Sequence, residues 1–286
     1  MNRYSLNTPA KINLFLKVNR KNNNNYHEIE TVFLPLKDIY DTITVIFNDT
    51  DEIVVTTDHY DVPTDETNLC YKAAELYFND SNNNKGMTIN IEKRIPVAAG
   101  MGGGSSDAAA VLLILQKEFN LFKKEELLAI AVKLGADVPF FLNPVASIGR
   151  GIGEVLTPID IKQDFIIIIC APHFPVSAAW AYKNLISNSN ILEINGCVDA
   201  LSKQNIKLIA DSLRNDLAPA LYEKFPILDI LKNELIEAGA LNAEITGSGP
   251  TLFCICENEE KADKIVSKMK KKFNADIEYL ITNVKL

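Results

Sequence analysis

Apolar and polar positions along this chain change their spacing repeatedly, and the changes mark its elements. Residues 8–18 alternate or run apolar and read as a strand, as do 30–35, 38–47, 52–57 and 86–93. Helical spacing takes over at Leu69–Phe78, behind a Thr67-Asn68 cap, and again at 106–119 and 124–134, where Gly135 stops the helix. Ala146 to Gly153 reads as a strand and turn, and Pro158 to Gln163 is the best candidate for a domain boundary. The apolar run 165–171 predicts a buried strand, followed by mostly helical pattern to Ala240. A strand at 242–246, a strand at 251–256, a helix at 258–272 and a strand at 276–284 close the chain.

The strand at 86–93 feeds the stretch Pro96-Val-Ala-Ala-Gly100-Met-Gly102-Gly-Gly104-Ser105-Ser106-Asp107. Glycines lack a Cβ, so an anion can approach their backbone closely. Ser105 or Ser106 can cap the helix that follows, whose unpaired N–H groups face back into the loop. A glycine loop ahead of a helix N-terminus is suited to phosphate. No lysine stands between Arg94 and Lys117, which excludes a P-loop, and the dinucleotide fingerprint meets serine or aspartate where its last glycine belongs. A flexible linker is the plain alternative, opposed by the strand that runs straight into the loop.

Composition narrows the class. The 286 residues suit one large domain or two ordinary ones, and 47% hydrophobic with 23% charged residues is typical of a soluble globular protein. A net charge of −8 argues against a nucleic-acid partner held by general basicity. No apolar run approaches a membrane span, and the N-terminus has no signal-peptide core, which points to the cytoplasm. Five cysteines give no disulfide framework, Cys254 and Cys256 read as small core residues, and three scattered histidines form no metal cluster.

Other positions carry two readings each. Lys11 and Asn13 share a strand face, so Lys11 is either an edge lysine with its head in water or a functional one. Asp137, ahead of Pro139, caps a helical turn or acts in chemistry, and the two do not exclude each other. Thr246-Gly247-Ser248-Gly249-Pro250 is a hairpin turn or a second glycine site. Asparagines 22–25 and 82–84 read as loop filler, although Asn25 suits a left-handed turn before Tyr26.

Three of these stretches together resemble the motifs of the GHMP kinases, small-molecule kinases of galactose, homoserine, mevalonate and phosphomevalonate. Thr8-Pro-Ala-Lys11-Ile-Asn13-Leu14 is similar to the first, residues 96–106 to the second and Thr246–Pro250 to the third. Met101 stands where leucine is usual in the second motif. Tyr26-His27, Gly135-Ala-Asp137-Val-Pro139, Gly151-Ile-Gly-Glu154 and Asn215-Asp216-Leu217 point to the members acting on a cytidine-diphosphate-linked methylerythritol. Asn24-Asn25 departs from their Asp-Gly, and Asp107 from a frequent asparagine.

The resemblance implies a two-domain α+β protein, with a ribosomal-protein-like N-terminal domain (1–158), a ferredoxin-like C-terminal domain (159–286) and the active site between them. It implies ATP as donor, Mg²⁺ as cofactor, and phosphorylation of the methylerythritol 2-hydroxyl on the non-mevalonate route to isoprenoid precursors. Lys11 and Asp137 would be catalytic, and Pro96, Gly100, Gly102, Gly103, Gly104, Ser105 and Ser106 would bind ATP. Either serine would offer a hydroxyl to phosphate or Mg²⁺. Asn13, Tyr26, His27, Tyr182, Thr246, Gly247 and Ser248 would bind the acceptor, with the aromatics at the cytosine and Trp180 left to the core. A monomer or homodimer is expected, without nucleic acid or membrane. Homoserine kinase and a catalytically silent ligand-binding relative are the alternatives; the second is disfavoured because lysine and aspartate are both present.

Overall fold

A computed structural model describes residues 2–21, 27–79, 85–186, 193–273 and 276–284. In chain order its elements are β1 (Arg3–Lys21), β2 (His27–Phe47), β3 (Ile53–Thr57), α1 (Leu69–Asn79), β4 (Met87–Glu92), α2 (Gly103–Phe119), α3 (Lys124–Leu134), α4 (Val138–Phe141), β5 (Ser147–Arg150), β6 (Val155–Pro158) and β7 (Phe165–Pro172). They continue with α5 (Ala178–Lys183), α6 (Ile194–Ser202), α7 (Ile206–Asp211), β8 (Arg214–Asn215), α8 (Ala218–Lys224), α9 (Pro226–Ala238), β9 (Asn242–Ile245), β10 (Leu252–Cys256), α10 (Glu259–Lys272) and β11 (Ile277–Val284).

These pack as two compact units interleaved along the chain, whereas the sequence suggests one cut near residue 158. The first unit gathers Met1–Ala10, Ile39–Val97 and Gly102–Pro144. In it β4 lies between β3, to which it is parallel, and the second half of β2, to which it is antiparallel. Alternate residues Ile43, Val45, Ile89 and Ile91 are buried. They form one apolar face of a half-covered sheet. Helices α1 and α2 pack on each other, and the buried Tyr77 hydroxyl donates to the Leu115 carbonyl at 3.2 Å.

Two expectations change here. The strands foreseen at 30–35 and 38–47 are one strand, because Lys37 and Asp38 are exposed strand positions and not a break. Helix α2 starts at Gly103 instead of 106, so its N-cap is Gly102, at φ 75°, and neither serine caps it. Glycine accepts that left-handed backbone without a Cβ clash.

The second unit gathers Lys11–Asp38, Ala98–Met101 and Val145–Leu286. Strand β5 pairs antiparallel with the first half of β2, Thr31 opposite Gly149, and β8 runs parallel to β1 with Phe15 opposite Arg214. A separate four-stranded antiparallel sheet has the order β11-β7-β10-β9. Every residue of β7 and β10 is buried, as their unbroken apolar runs predict. Leu228, Leu231 and Leu235 of α9 and Ile265 and Met269 of α10 belong to the same core cluster as Cys254 and Cys256. Strands β9 and β10 form a hairpin, and its turn is the Thr246–Pro250 stretch.

Candidate active site

In the second unit, Lys11 of β1 is 3% exposed, with the apolar Ala10 and Ile12 on either side. It is therefore not an edge lysine with its head in water. Its ammonium donates to Asn13 Oδ1 at 2.8 Å and stands 5.3 Å from the centroid of the Phe33 ring. Period-two alternation puts both β1 residues on one face, and the same alternation on β2 brings Thr31 and Phe33 to them. The Asn13 backbone N–H donates to Thr246 Oγ1 at 3.0 Å, tying the first motif to the third.

Gly100 joins the same cluster. A Cβ there would lie 2.5 Å from the Thr246 carbonyl, and one on Gly247 would lie 2.9 Å from the Gly100 carbonyl. Two backbones approach too closely for side chains. The half-buried Ser248 follows in the same turn. Asn215 holds this turn from behind: its amide donates to the carbonyls of Ile245 and Gly247, both at 2.8 Å, and accepts from Leu217 N at 2.9 Å.

Also in this unit, His27 and Tyr182 stack at 5.8 Å with an interplanar angle of 27°. His27 Nδ1 lies 3.1 Å from the Asn19 carbonyl. A carbonyl can only accept, so in the neutral ring Nδ1 carries the proton and Nε2 is a bare acceptor. Tyr26, Asn25 and the asparagines at 82–84 lie outside the described residues. Trp180 is half-buried against the core, with the Lys224 ammonium 3.9 Å from its ring centroid, consistent with a packing role.

In the first unit, the N–H groups of Gly103, Gly104 and Ser105 precede the first intrahelical bond of α2, which runs from Ser106 N to the Gly102 carbonyl at 2.9 Å. These are the groups a helix leaves open to an anion. Pro96 is half-buried at the entry to this loop. The two serines now separate. Ser106 is fully buried; its hydroxyl donates to the Pro9 carbonyl at 2.6 Å and meets Thr8 Oγ1 at 2.6 Å. Ser105 is half-exposed beside it.

Gly103 is glycine for a reason other than φ, since it is already helical. A Cβ would lie 2.8 Å from Lys93 Nζ and 3.3 Å from Ile95 Cγ2. Asp137 sits at the N-cap position of α4, but its carboxylate makes no capping hydrogen bond. Its neighbours Val138, Pro139, Phe140 and Phe141 are buried and fix that turn.

Residues 68–143 match the family model described as GHMP kinases N terminal domain, and residues 197–275 match GHMP kinases C terminal. A 4-diphosphocytidyl-2-C-methyl-D-erythritol kinase of Lachnoclostridium phytofermentans is 39% identical over 263 residues, covering 91% of this chain and 90% of the relative. The chain belongs to the GHMP kinases. A kinase of the same name from Clostridium perfringens is 35% identical over 278 residues, 96% of each chain. A crystal structure of 4-(cytidine 5'-diphospho)-2C-methyl-D-erythritol kinase matches with TM-score 0.80 and 28% identity over 98% of both chains. Homoserine kinase from Cytophaga hutchinsonii has TM-score 0.79 at 21% identity, covering 100% of this chain and 95% of its own, which is a likeness of fold.

This GHMP kinase therefore has the two-domain α+β fold and the ATP-dependent small-molecule kinase class expected of it. Sequence reasoning passed over the buried charges beneath its glycine loop. Lys93 pairs with Asp41 and, at 2.8 Å, with Asp107, all three almost wholly buried. Asp41 also accepts from Arg94 N at 2.6 Å and Ile95 N at 2.8 Å, pinning the backbone that enters the loop. Burial pushes the Asp107 carboxyl up to about 7; Lys93 opposes that rise and the nearby Asp41 adds to it. Burial alone would lower the Lys93 pKa, but the two carboxylates raise it above the ordinary lysine range. A lysine just past the end of β4, directly ahead of a glycine loop, is the signal the sequence offers.

Proposed function

We propose that this kinase transfers the γ-phosphoryl group of ATP to the 2-hydroxyl of 4-diphosphocytidyl-2-C-methyl-D-erythritol, in the non-mevalonate supply of isoprenoid precursors. The observation that carries the reading is the match to kinases of that name along nine-tenths of the chain or more. Phosphoryl transfer needs positioning and charge neutralisation around a loose transition state more than covalent chemistry. In this reading Gly102, Gly103, Gly104 and the Ser105 N–H donate to the nucleotide phosphates, with Pro96 and Gly100 shaping the loop. Ser106 supports the loop from inside the fold.

Among the described residues no group of three or more histidines, cysteines or acidic residues could hold a metal ion. That suits Mg²⁺ in a kinase, which keeps waters and uses few protein oxygens beside the substrate phosphates. The Ser105 hydroxyl is the oxygen proposed for it. When bound, the ion neutralises charge on the phosphate oxygens.

Asp137 is proposed to orient the acceptor hydroxyl and receive its proton, and Lys11 to stabilise charge on the transferred group. In a loose transition state positioning of the acceptor hydroxyl outweighs its early deprotonation. Asn13, Thr246, Gly247 and Ser248 would hold the acceptor's polar groups. His27 and Tyr182, with Tyr26, would take the cytosine: its amino group donates to the bare Nε2 of His27, where uracil would present a second acceptor. The reading places the protein in the cytoplasm as a monomer or homodimer with small-molecule partners. Among the described residues no helix is long and apolar enough to cross a membrane.

The test is direct. Purified protein with MgATP is offered the cytidine-linked acceptor, its uridine analogue, homoserine and mevalonate, and products are scored by mass for one added phosphate. The cytidine-linked acceptor should be turned over fastest; preference for homoserine, or no transfer at all, would overturn the assignment.

A further inference from the structure

On the reading of Lys11 and Asn13 given above, we infer that Thr31 is a positioning residue for the kinase reaction, fixing which way the Asn13 amide faces and so where the Lys11 ammonium is held. A threonine hydroxyl carries one proton and accepts through its lone pairs. Thr31 gives that proton to the Phe15 carbonyl at 2.7 Å. Toward Asn13 it can then only accept, and it accepts from Asn13 Nδ2 at 2.8 Å.

The rest follows from the amide having one nitrogen and one oxygen. With Nδ2 committed to Thr31, Oδ1 faces the other way, where Lys11 Nζ donates at 2.8 Å and the Thr246 hydroxyl at 3.5 Å. A flipped amide would set N–H groups against the ammonium and an oxygen against a hydroxyl with no proton left to give. Thr31 itself has little freedom. It is fully buried opposite Gly149, where a Cβ would lie 2.9 Å from its Cγ2 and 2.7 Å from the Phe33 ring. The missing Cβ makes room for both side chains, and the methyl is packed where it stands. One hydroxyl proton on β2 therefore sets the polarity of a network that reaches the proposed catalytic lysine.

Thr31→Val keeps the shape and the methyl and removes the hydroxyl, while Thr31→Ser keeps the hydroxyl. Steady-state kinetics for both substrates and thermal melts would be compared across Thr31→Val, Thr31→Ser, Asn13→Ala and the Thr31→Val/Asn13→Ala double variant. Thr31→Val should lower kcat by roughly tenfold or more with the ATP KM changed less than about twofold, the signature of a contact that matters in the transition state. Thr31→Ser should recover most of the loss. In the Asn13→Ala background Thr31→Val should cost nothing further, because coupled neighbours are not additive. If Thr31→Val does not fold, Thr31→Ala takes its place in the same comparison.

An undiminished kcat in the hydroxyl-less variant, or the same factor lost again in the Asn13→Ala background, would overturn the inference and leave the proposed site intact. Full activity of Asn13→Ala alone would overturn the role of Asn13, and the inference with it.

Discussion

The Ser106 hydroxyl donates to the backbone carbonyl of Pro9 at 2.6 Å. A hydroxyl committed in that way, at a fully buried residue, holds the head of α2 against β1 and is not available to a nucleotide. Ser106→Ala should cost ~1–3 kcal/mol of stability, because a buried carbonyl loses its donor. Ser105→Ala should leave the melting temperature within a degree or two and lower kcat, raise the ATP KM, or both. Melts and kinetics on the two variants check this, and the opposite allocation of stability and activity would reassign the serines.

The two residues proposed for chemistry lie in different motifs, so each can be removed without touching the glycine loop. Lys11→Ala and Asp137→Asn should each lower kcat by at least ~10²-fold, the scale of an electrostatic or acid–base contact. Nucleotide binding by calorimetry should persist in both. Wild-type turnover by either variant would remove that residue from the mechanism.

Asp107 gives the stability of the kinase a pH dependence of known sign. Its folded pKa, about 7, lies above the ordinary carboxylate value because burial disfavours the charge. The folded state therefore binds a proton that the unfolded state has already lost, and stability falls as pH rises between about 4 and about 7. Each unit of displacement is worth ~1.4 kcal/mol, so the loss is of order a few kcal/mol. Asp107→Asn keeps an acceptor for Lys93 and cannot ionise. Its melting temperature should exceed that of wild type by an amount that widens from pH 5 to pH 7.5; parallel curves would rule this out.

Cytosine selectivity should divide between two side chains. Tyr182→Ala should weaken cytidine and uridine acceptors alike, by the ~1–3 kcal/mol typical of base–aromatic stacking. His27→Ala should also reduce the ratio of the two, because it removes the bare acceptor that distinguishes an amino group from a carbonyl. The ATP KM should change little in both. Values of kcat/KM for each acceptor decide it, and an unchanged ratio in His27→Ala would place selectivity elsewhere.

The three glycines at the loop's end should not respond alike to alanine. Gly103→Ala brings a methyl against Lys93 Nζ and Ile95, whereas a Cβ on Gly104 meets Leu69 Cδ1 at 3.6 Å, an ordinary van der Waals contact. Gly102→Ala must also adopt φ 75°, which L residues resist. Gly104→Ala should therefore keep or raise the melting temperature, alanine being ~1 kcal/mol the better helix former, while the other two lower it. Equal melting temperatures for all three would contradict these contacts.

What the chain discloses locally matches what is held locally. The unbroken apolar runs of β7 and β10 become fully buried strands, and the Thr67-Asn68 cap is where it was expected, with Asn68 Oδ1 accepting from Cys70 N at 2.8 Å. The start of α2 was misplaced because glycine and serine argue against a helix; the close fit of Gly103 to Lys93 and Ile95 is not written in that segment. Lys11 carries two readings in sequence because its burial depends on distant residues such as Phe33 as much as on its own strand. The Lys93 cluster joins residues 52 and 14 positions apart, and no local pattern announces such partners.

The pairing of β1 with β8 also bears on how the protein is made. On one edge of β1, Phe15 and Leu16 find their neighbours at Arg214 and Asn215, and the unit they belong to draws on three separated stretches of chain. A ribosome delivers β1 about two hundred residues before β8, so β1 waits with one edge unpaired in the interval. Closing so long a loop is slow relative to local contacts, and an unpaired edge is open to wrong partners in the meantime. Truncation before residue 214 would thus remove more than a C-terminal domain, because it would deprive the strand carrying Lys11 of its neighbour on one edge.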